Sequence, residues 1–326
     1  MTTMTIAKAI NEGLRATLSN NPKSLLMGED IGPLGGVYRV TDGLIAEFGA
    51  DRVVDTPLAE SGIVGTAIGL ALRGYLPICE IQFDGFVFPG FNQITTQLAK
   101  MHSRSSGNLT VPVVIRIPYG GGIGSIEHHS ESPEALFAHT AGLRIITPSN
   151  PHDAYWMIQQ AVDCQDPVIV FEPKRRYWLK GEVDTEAAGL AENPFKAHVV
   201  REGTDATVVV YGPLVPVALA AANAAAEDGR SVEVIDLRSI SPIDFDTIEA
   251  SVKKTGRLIV AHEAPTFGGI GGEIAARISE RAFHSLEAPV IRVGGFHMPY
   301  PVAKVEEDYL PDIDRILEAL DRTFAY

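Results

Sequence analysis

Apolar positions recur along this chain with two alternating periods. Residues 4–19 place Ile6, Ala9, Ile10, Leu14 and Leu18 on one face at helical spacing, which predicts an amphipathic helix. Short apolar runs at 24–28, 76–83, 143–147 and 167–172 read as strands, and Val111–Ile117 is of the parallel-sheet type. Helical patterns lie between them, over 61–73, 88–101, 133–139 and from Asn150-Pro151 to about Asp163. Ser132-Pro133 supplies an N-cap followed by a first-turn proline.

The rhythm breaks over 174–203, which is mixed, polar and without a clear period. It then resumes, with strands predicted at 206–211, 231–237, 257–262 and 289–293 and helices at 214–228, 244–254 and 271–283. The pattern predicts two consecutive α/β domains with mainly parallel sheets. The expected boundaries are 1–185 for the first, 186–203 for a linker and 204–326 for the second.

Composition narrows the partners more than the fold. The chain has 326 residues and a formal net charge of −14, from Lys+Arg 27 against Asp+Glu 41. So acidic a surface argues against nucleic acid and anionic membranes, and weakly for a basic protein partner. No apolar run is long enough to span a membrane, and the first residues carry no signal-peptide core, so a cytoplasmic protein is expected. Cys79 and Cys164 match no zinc or redox spacing.

Candidate chemistry starts at Glu60, in Asp55-Thr56-Pro57-Leu58-Ala59-Glu60-Ser61-Gly62. A proline turn precedes the carboxylate, and a helix of small apolar residues follows, with Ser61 as the expected N-cap. That places an acid on a turn where it can meet a ligand, although a capping carboxylate would look the same. Tyr119-Gly120-Gly121-Gly122-Ile123-Gly124 follows a strand, but no Lys-Ser/Thr succeeds it and Ser125 stands where a dinucleotide loop needs its third glycine. A mobile loop over a site is the simpler reading. Gly268-Gly269-Ile270-Gly271-Gly272 also fails the dinucleotide spacing, at Ile274, and reads as a loop feeding a helix. His128-His129 lies on the next loop segment, where it could transfer protons, bind metal or cap backbone groups. Gln82 and Phe86 alone would be ordinary strand-end residues. Lys174-Arg175-Arg176 reads as a solvated charge patch or an anion contact, and Arg116 and Arg144 as partners for acids around the core.

Together these segments resemble the β subunit of the 2-oxo acid dehydrogenase decarboxylase component, a thiamine-diphosphate enzyme in its split α plus β form. The likeness runs from Gly28-Glu29-Asp30 to Leu310-Pro311. It rests on Asp55-Thr56-Pro57-Leu58-Ala59-Glu60, Glu80-Ile81-Gln82-Phe83, His129-Ser130, Phe171-Glu172-Pro173-Lys174, Val234-Ile235-Asp236-Leu237-Arg238 and His262-Glu263-Ala264-Pro265. It implies a transketolase-like pyrimidine-binding domain followed by a transketolase C-terminal-like domain.

The resemblance also implies roles. Glu60 would bond N1′ of the cofactor's aminopyrimidine and favour the imino tautomer, whose 4′ nitrogen takes the proton from the thiazolium C2. That carbon attacks the 2-oxo acid, and carbon dioxide leaves as the thiazolium accepts the electron pair. Phe86 would stack on the pyrimidine, with Leu58 and Gln82 lining the same pocket. His129 would act during acyl transfer to a lipoyl arm, with His128 a weaker candidate.

Such enzymes hold magnesium and diphosphate through a Gly-Asp-Gly segment, and this chain has none. The resemblance therefore implies an α subunit carrying that half of the site, in an assembly of two α and two β. It further implies docking on a lipoyl-acyltransferase core. No side-chain metal site is expected, but some members of the family hold a potassium ion on backbone carbonyls, and the matching positions here are near Val111, Val113, Val114, Ala161, Cys164 and Asp166. Branched-chain 2-oxo acids are the first expected substrate, ahead of pyruvate and acetoin. A single-chain transketolase-like enzyme, an inactive β-like scaffold and a flavodoxin-like binding module are the readings from other classes.

Overall fold

The computed structural model of the protein describes residues 1–326 apart from Leu190. Two sheets organise it. The larger has seven strands, in spatial order Ser239–Ser241, Arg144–Ile146, Val168–Pro173, Val114–Tyr119, Leu76–Glu80, Ser24–Gly28 and Val53–Asp55. All its pairings are parallel except that of the first strand, which lies antiparallel to Arg144–Ile146. The smaller has five strands, in the order Ile291–Gly295, Leu258–Pro265, Ala206–Val210, Val232–Asp236 and His198–Arg201, with only the last antiparallel.

The central strands are buried on both faces, which is why their sequences run apolar without alternation. Helix Ile6–Asn20 buries Ile6, Ala9, Ile10, Leu14 and Leu18, the face its periodicity marks. It packs against helix Pro151–Asp163, where a Cβ on Gly13 would lie 2.6 Å from the Tyr155 carbonyl oxygen. Asn150 caps that second helix by accepting from the Asp153 amide at 2.9 Å.

Several local expectations fail for visible reasons. Residues 88–101 do not form one helix: a 3-10 turn over Asp84–Gly90 contains Pro89, and tight and wide turns follow to Arg104. Pro89 lacks the amide a regular helix needs. Ser61 is not an N-cap, because the helix Glu60–Leu72 begins at Glu60 itself, after Ala59. Helix Glu134–Ala138 begins after Pro133, with no side-chain cap from Ser132.

The stretch 186–203 is more than a connector. His198–Arg201 is the edge strand of the second sheet, and just before it Lys180–Val183 pairs with Thr2–Thr5. In return, Ser239–Ser241 leaves the second half of the chain to complete the first sheet. The terminal helix Ile313–Phe324, capped by Asp312, went unassigned from periodicity.

Buried polar contacts join the two halves. Tyr211 donates to Glu134 at 2.7 Å, Arg238 pairs with Asp153 at 3.1 Å, and Arg176 donates to the Pro213 carbonyl at 3.0 Å. Burial pushes the Glu134 carboxyl up to about 7, with Glu263 and Asp84 adding to the rise against the Tyr211 bond. A carboxyl raised in the folded state stabilises the fold most below its unfolded value near 4.5, and that contribution is lost as pH rises through about 7. Glutamine mimics the protonated form and can still accept from Tyr211. Glu134→Gln should therefore gain on the order of 2–3 kcal/mol relative to the parent between pH 5 and pH 8. Denaturant melts at both values test this, and identical pH dependence in the two proteins would refute it.

Candidate active site

The candidate residues converge on one edge. Glu29, Gln82, the 120–131 loop and Lys174 follow the carboxyl ends of neighbouring parallel strands, where open α/β sheets bind ligands. Glu60 opens the helix that follows the edge strand Val53–Asp55.

Glu60 is 7% exposed, and its carboxylate makes no hydrogen bond or ion pair among the described residues. Beside it stands a second buried acid, Glu29, whose Oε1 also lacks a partner. Burial raises the Glu29 carboxyl above its ordinary value, and the charges of Glu60 and Asp30 raise it further. The sequence presents Glu29 only as part of Gly28-Glu29-Asp30, with nothing that singles it out as a site residue. No local signal marks it, because the fold alone brings two strand ends together. Gln82 donates to Asp30 at 2.9 Å, so it closes this acidic cluster.

A ring cluster adjoins it. His129 lies 4.2 Å from Phe83 and 5.2 Å from Phe86 between ring centroids, and His128 lies 4.4 Å from His129. The 3-10 turn carries Phe86 toward the histidines because Gly85 lets the backbones touch. A Cβ there would sit 2.4 Å from the His128 carbonyl oxygen. Gly90 of the same turn packs on Glu60, where a Cβ would lie 3.2 Å from its carbonyl oxygen. Glu60, Gln82, Phe86 and His129 are thus carried by directly packed segments. Leu58 is 80% exposed and touches no such cluster, so this side of the site stands open.

Burial lowers the His129 imidazole below its ordinary range, and the electrostatic influence of the neighbouring His128 and Lys174 lowers it further. Its Nδ1 is buried without a partner. Lys174 is not a solvated charge, as its position after a strand had indicated. It is 2% exposed, pairs with buried Asp84 and donates to the His129 carbonyl at 2.6 Å. Arg116 is buried as well, and bridges Glu172 at 2.7 Å and Glu80 at 2.6 Å under the strand ends. Arg144 pairs with Asp166 at 2.7 Å nearer the surface.

The residues expected to border potassium lie away from this edge: Val111, Val113 and Val114 at the amino end of a central strand, Ala161 in the last turn of helix Pro151–Asp163, and Cys164 and Asp166 between that helix and the strand Val168–Pro173. Val113 donates to the Val111 carbonyl at 2.9 Å and its own carbonyl accepts from Val168 at 3.0 Å, while Cys164 donates to Ala161 at 3.3 Å. Val114 begins the strand.

Two family models cover the chain. The transketolase pyrimidine-binding domain matches residues 2–178 and the transketolase C-terminal domain matches 195–316. Pyruvate dehydrogenase E1 component subunit beta of Leifsonia xyli subsp. xyli is 65% identical, across 98% of this chain and 95% of that one. A 3-methyl-2-oxobutanoate dehydrogenase subunit beta of Mycobacterium tuberculosis is 51% identical, across 98% and 91%. The chain belongs to the β subunits of the 2-oxo acid dehydrogenases. A solved structure described as a split gene transketolase, an inactive beta4 tetramer, superposes with a TM-score of 0.81 at 22% identity, covering 99% of this chain and 98% of that one. That likeness shows the fold.

As a member of this family the chain is a component of a thiamine-dependent oxidoreductase. The site fits the cofactor's aminopyrimidine: the Glu60 carboxylate has no hydrogen-bond partner among the described residues, the neighbouring Glu29 Oε1 is buried without one and calls for a donor from outside the chain, and the turn that packs on Glu60 through Gly90 bears Phe86. No helix is long and apolar enough to cross a membrane among the described residues.

Proposed function

We propose that this chain is the β half of a decarboxylase acting on a short 2-oxo acid, with Glu60 activating thiamine diphosphate and His129 serving acyl transfer to a lipoyl group. The observation that carries the reading is Glu60: buried, without a protein partner, and packed through Gly90 onto the turn that bears Phe86. Thiamine diphosphate would supply the electron sink for decarboxylation. Glu60 would accept from the ring nitrogen, Phe86 would stack on the pyrimidine, and Gln82 and Leu58 would border it. Magnesium would be held by an α subunit, and potassium by the carbonyls near Val111 and Ala161.

The open side of the site supports a second chain. Exposed Leu58 adjoins the helix Glu60–Leu72, on which Gly65 and Gly69 have open space beside them. Such a face allows close approach by another helix, as an α subunit in a complex of two α and two β would require. The net charge of −14 suits a basic binding region on an acyltransferase core.

Branched-chain acids and pyruvate remain the two substrates to separate. The 65% identical relative bears the pyruvate name and the 51% identical one the 3-methyl-2-oxobutanoate name, an order that favours pyruvate over the branched acid expected from sequence motifs. The test pairs this chain with its α subunit and follows decarboxylation of both acids and of acetoin oxidation with an artificial electron acceptor. Activity in the mixture and not in the isolated chain is expected, with pyruvate preferred. Turnover by the isolated chain would overturn the split-site reading.

A further inference from the structure

We propose that Glu306, from the second domain, is a positioning residue for His129, acting by clasping the glycine loop that leads into the His129 segment. This rests on the reading that His129 serves acyl transfer.

The glycines of 120–124 are explained by this clasp. Gly120, Gly122 and Gly124 all have left-handed φ, at 83°, 79° and 70°, which turns successive amides toward a common point. In a phosphate loop that point would hold a ligand. Here it holds Glu306, which accepts from Gly122 at 2.7 Å and from Gly124 at 2.9 Å. Tyr300 donates to the same carboxylate at 2.6 Å, and Gly122 lies within 3.4 Å of the Tyr300 hydroxyl. Gly121 donates to Glu263, and a Cβ at Gly121 would fall 1.8 Å from the Tyr300 hydroxyl. The loop is therefore wired to the second domain rather than mobile. Glu306 is 4% exposed. Burial opposes its charge, but the bonds from Tyr300, Gly122 and Gly124 outweigh that and hold its carboxyl below the ordinary range.

His129 lies inside the same loop. Gly120 donates to the Glu131 carbonyl at 2.9 Å and closes the loop at its base. One limb, 129–131, is held by the first domain: Lys174 donates to the His129 carbonyl, and Glu131 donates to Asp84 at 2.9 Å. The other limb, 121–124, is held by Glu263 and Glu306. Freeing that limb leaves residues 121–126 to relax before the turn Glu127–His129, whose His129 amide donates to Ile126 at 3.0 Å. Catalytic groups lose rate when their supports loosen, even where no contact to the ligand is lost.

The experiment uses the α/β complex, with a lipoyl domain as acceptor in one assay and an artificial acceptor in the other. Glu306→Ala should lower lipoyl acylation about tenfold or more while decarboxylation changes less than about twofold. Hydrogen exchange over 120–131 should quicken. Added to His129→Ala, it should cost no further rate, because it acts through that side chain. Glu306→Gln, which keeps one acceptor oxygen, should fall between. Tyr300→Phe removes only one bond to Glu306 and serves if the alanine variant fails to assemble; it should show the same pattern weakly. Unchanged exchange in 120–131, or a loss that multiplies with that of His129→Ala, would overturn the proposal. If His129→Ala alone leaves acylation intact, the reading of His129 fails instead, and exchange still reports on the clasp.

Discussion

Glu60→Gln should abolish most 2-oxo acid decarboxylation, by about 10²–10⁴-fold, while the subunit folds and assembles normally. The split between activity and stability is what identifies the role. Glu60 is buried beside Glu29 without a hydrogen bond or ion pair from the described residues. Burying two like charges together costs stability, so neutralising one should leave the fold unchanged or slightly firmer. Glutamine keeps the shape and one acceptor oxygen but not the charge that would favour a protonated ring nitrogen. A capping carboxylate would behave the other way, but the first turn of this helix has no side-chain cap for Glu60 to provide. The measurements are artificial-acceptor turnover of the α/β complex and a melt of the same preparation. Turnover within about threefold of the parent would remove Glu60 from its assigned role.

What the sequence revealed depended on how local each signal was. The strands Ser24–Gly28 and Ala206–Val210 and the helix Pro151–Asp163 were legible because burial and capping leave marks within the element itself. The edge strands His198–Arg201 and Ser239–Ser241 were not, since what makes them strands is a neighbour distant in the chain. The same division runs through the site. Glu60, Gln82, Phe86 and His129 were found through motif resemblance, and the structure carries them on packed neighbouring segments. Glu29, buried Lys174 and Glu306 were missed, because each acts through a partner that lies elsewhere in sequence. The glycine loop was read as mobile for the same reason. Its anchors, Glu263 and Glu306, lie more than a hundred residues downstream.

His129→Ala should cut acyl transfer to a lipoyl domain by roughly 10²–10³-fold while artificial-acceptor turnover falls only severalfold. The expected asymmetry follows from where the imidazole stands. It is packed between Phe83 and Phe86 on one side and His128 on the other, and its Nδ1 has no protein partner. Burial, His128 and Lys174 all disfavour its charged form, so the ring is neutral at pH 7 and able to take a proton. Transfer should therefore persist on the acid side to below the usual imidazole range. His128→Ala removes one of the electrostatic influences that lower His129, so the acid limb of the transfer profile should move to higher pH. That shift separates chemistry from packing, because loss of a purely structural ring would not move a titration. Lipoyl acylation and artificial-acceptor rates, each followed from pH 5 to pH 8, provide the check. If both rates fall equally in His129→Ala and the profile of His128→Ala does not move, His129 is a packing residue, and the acid–base work belongs to another chain.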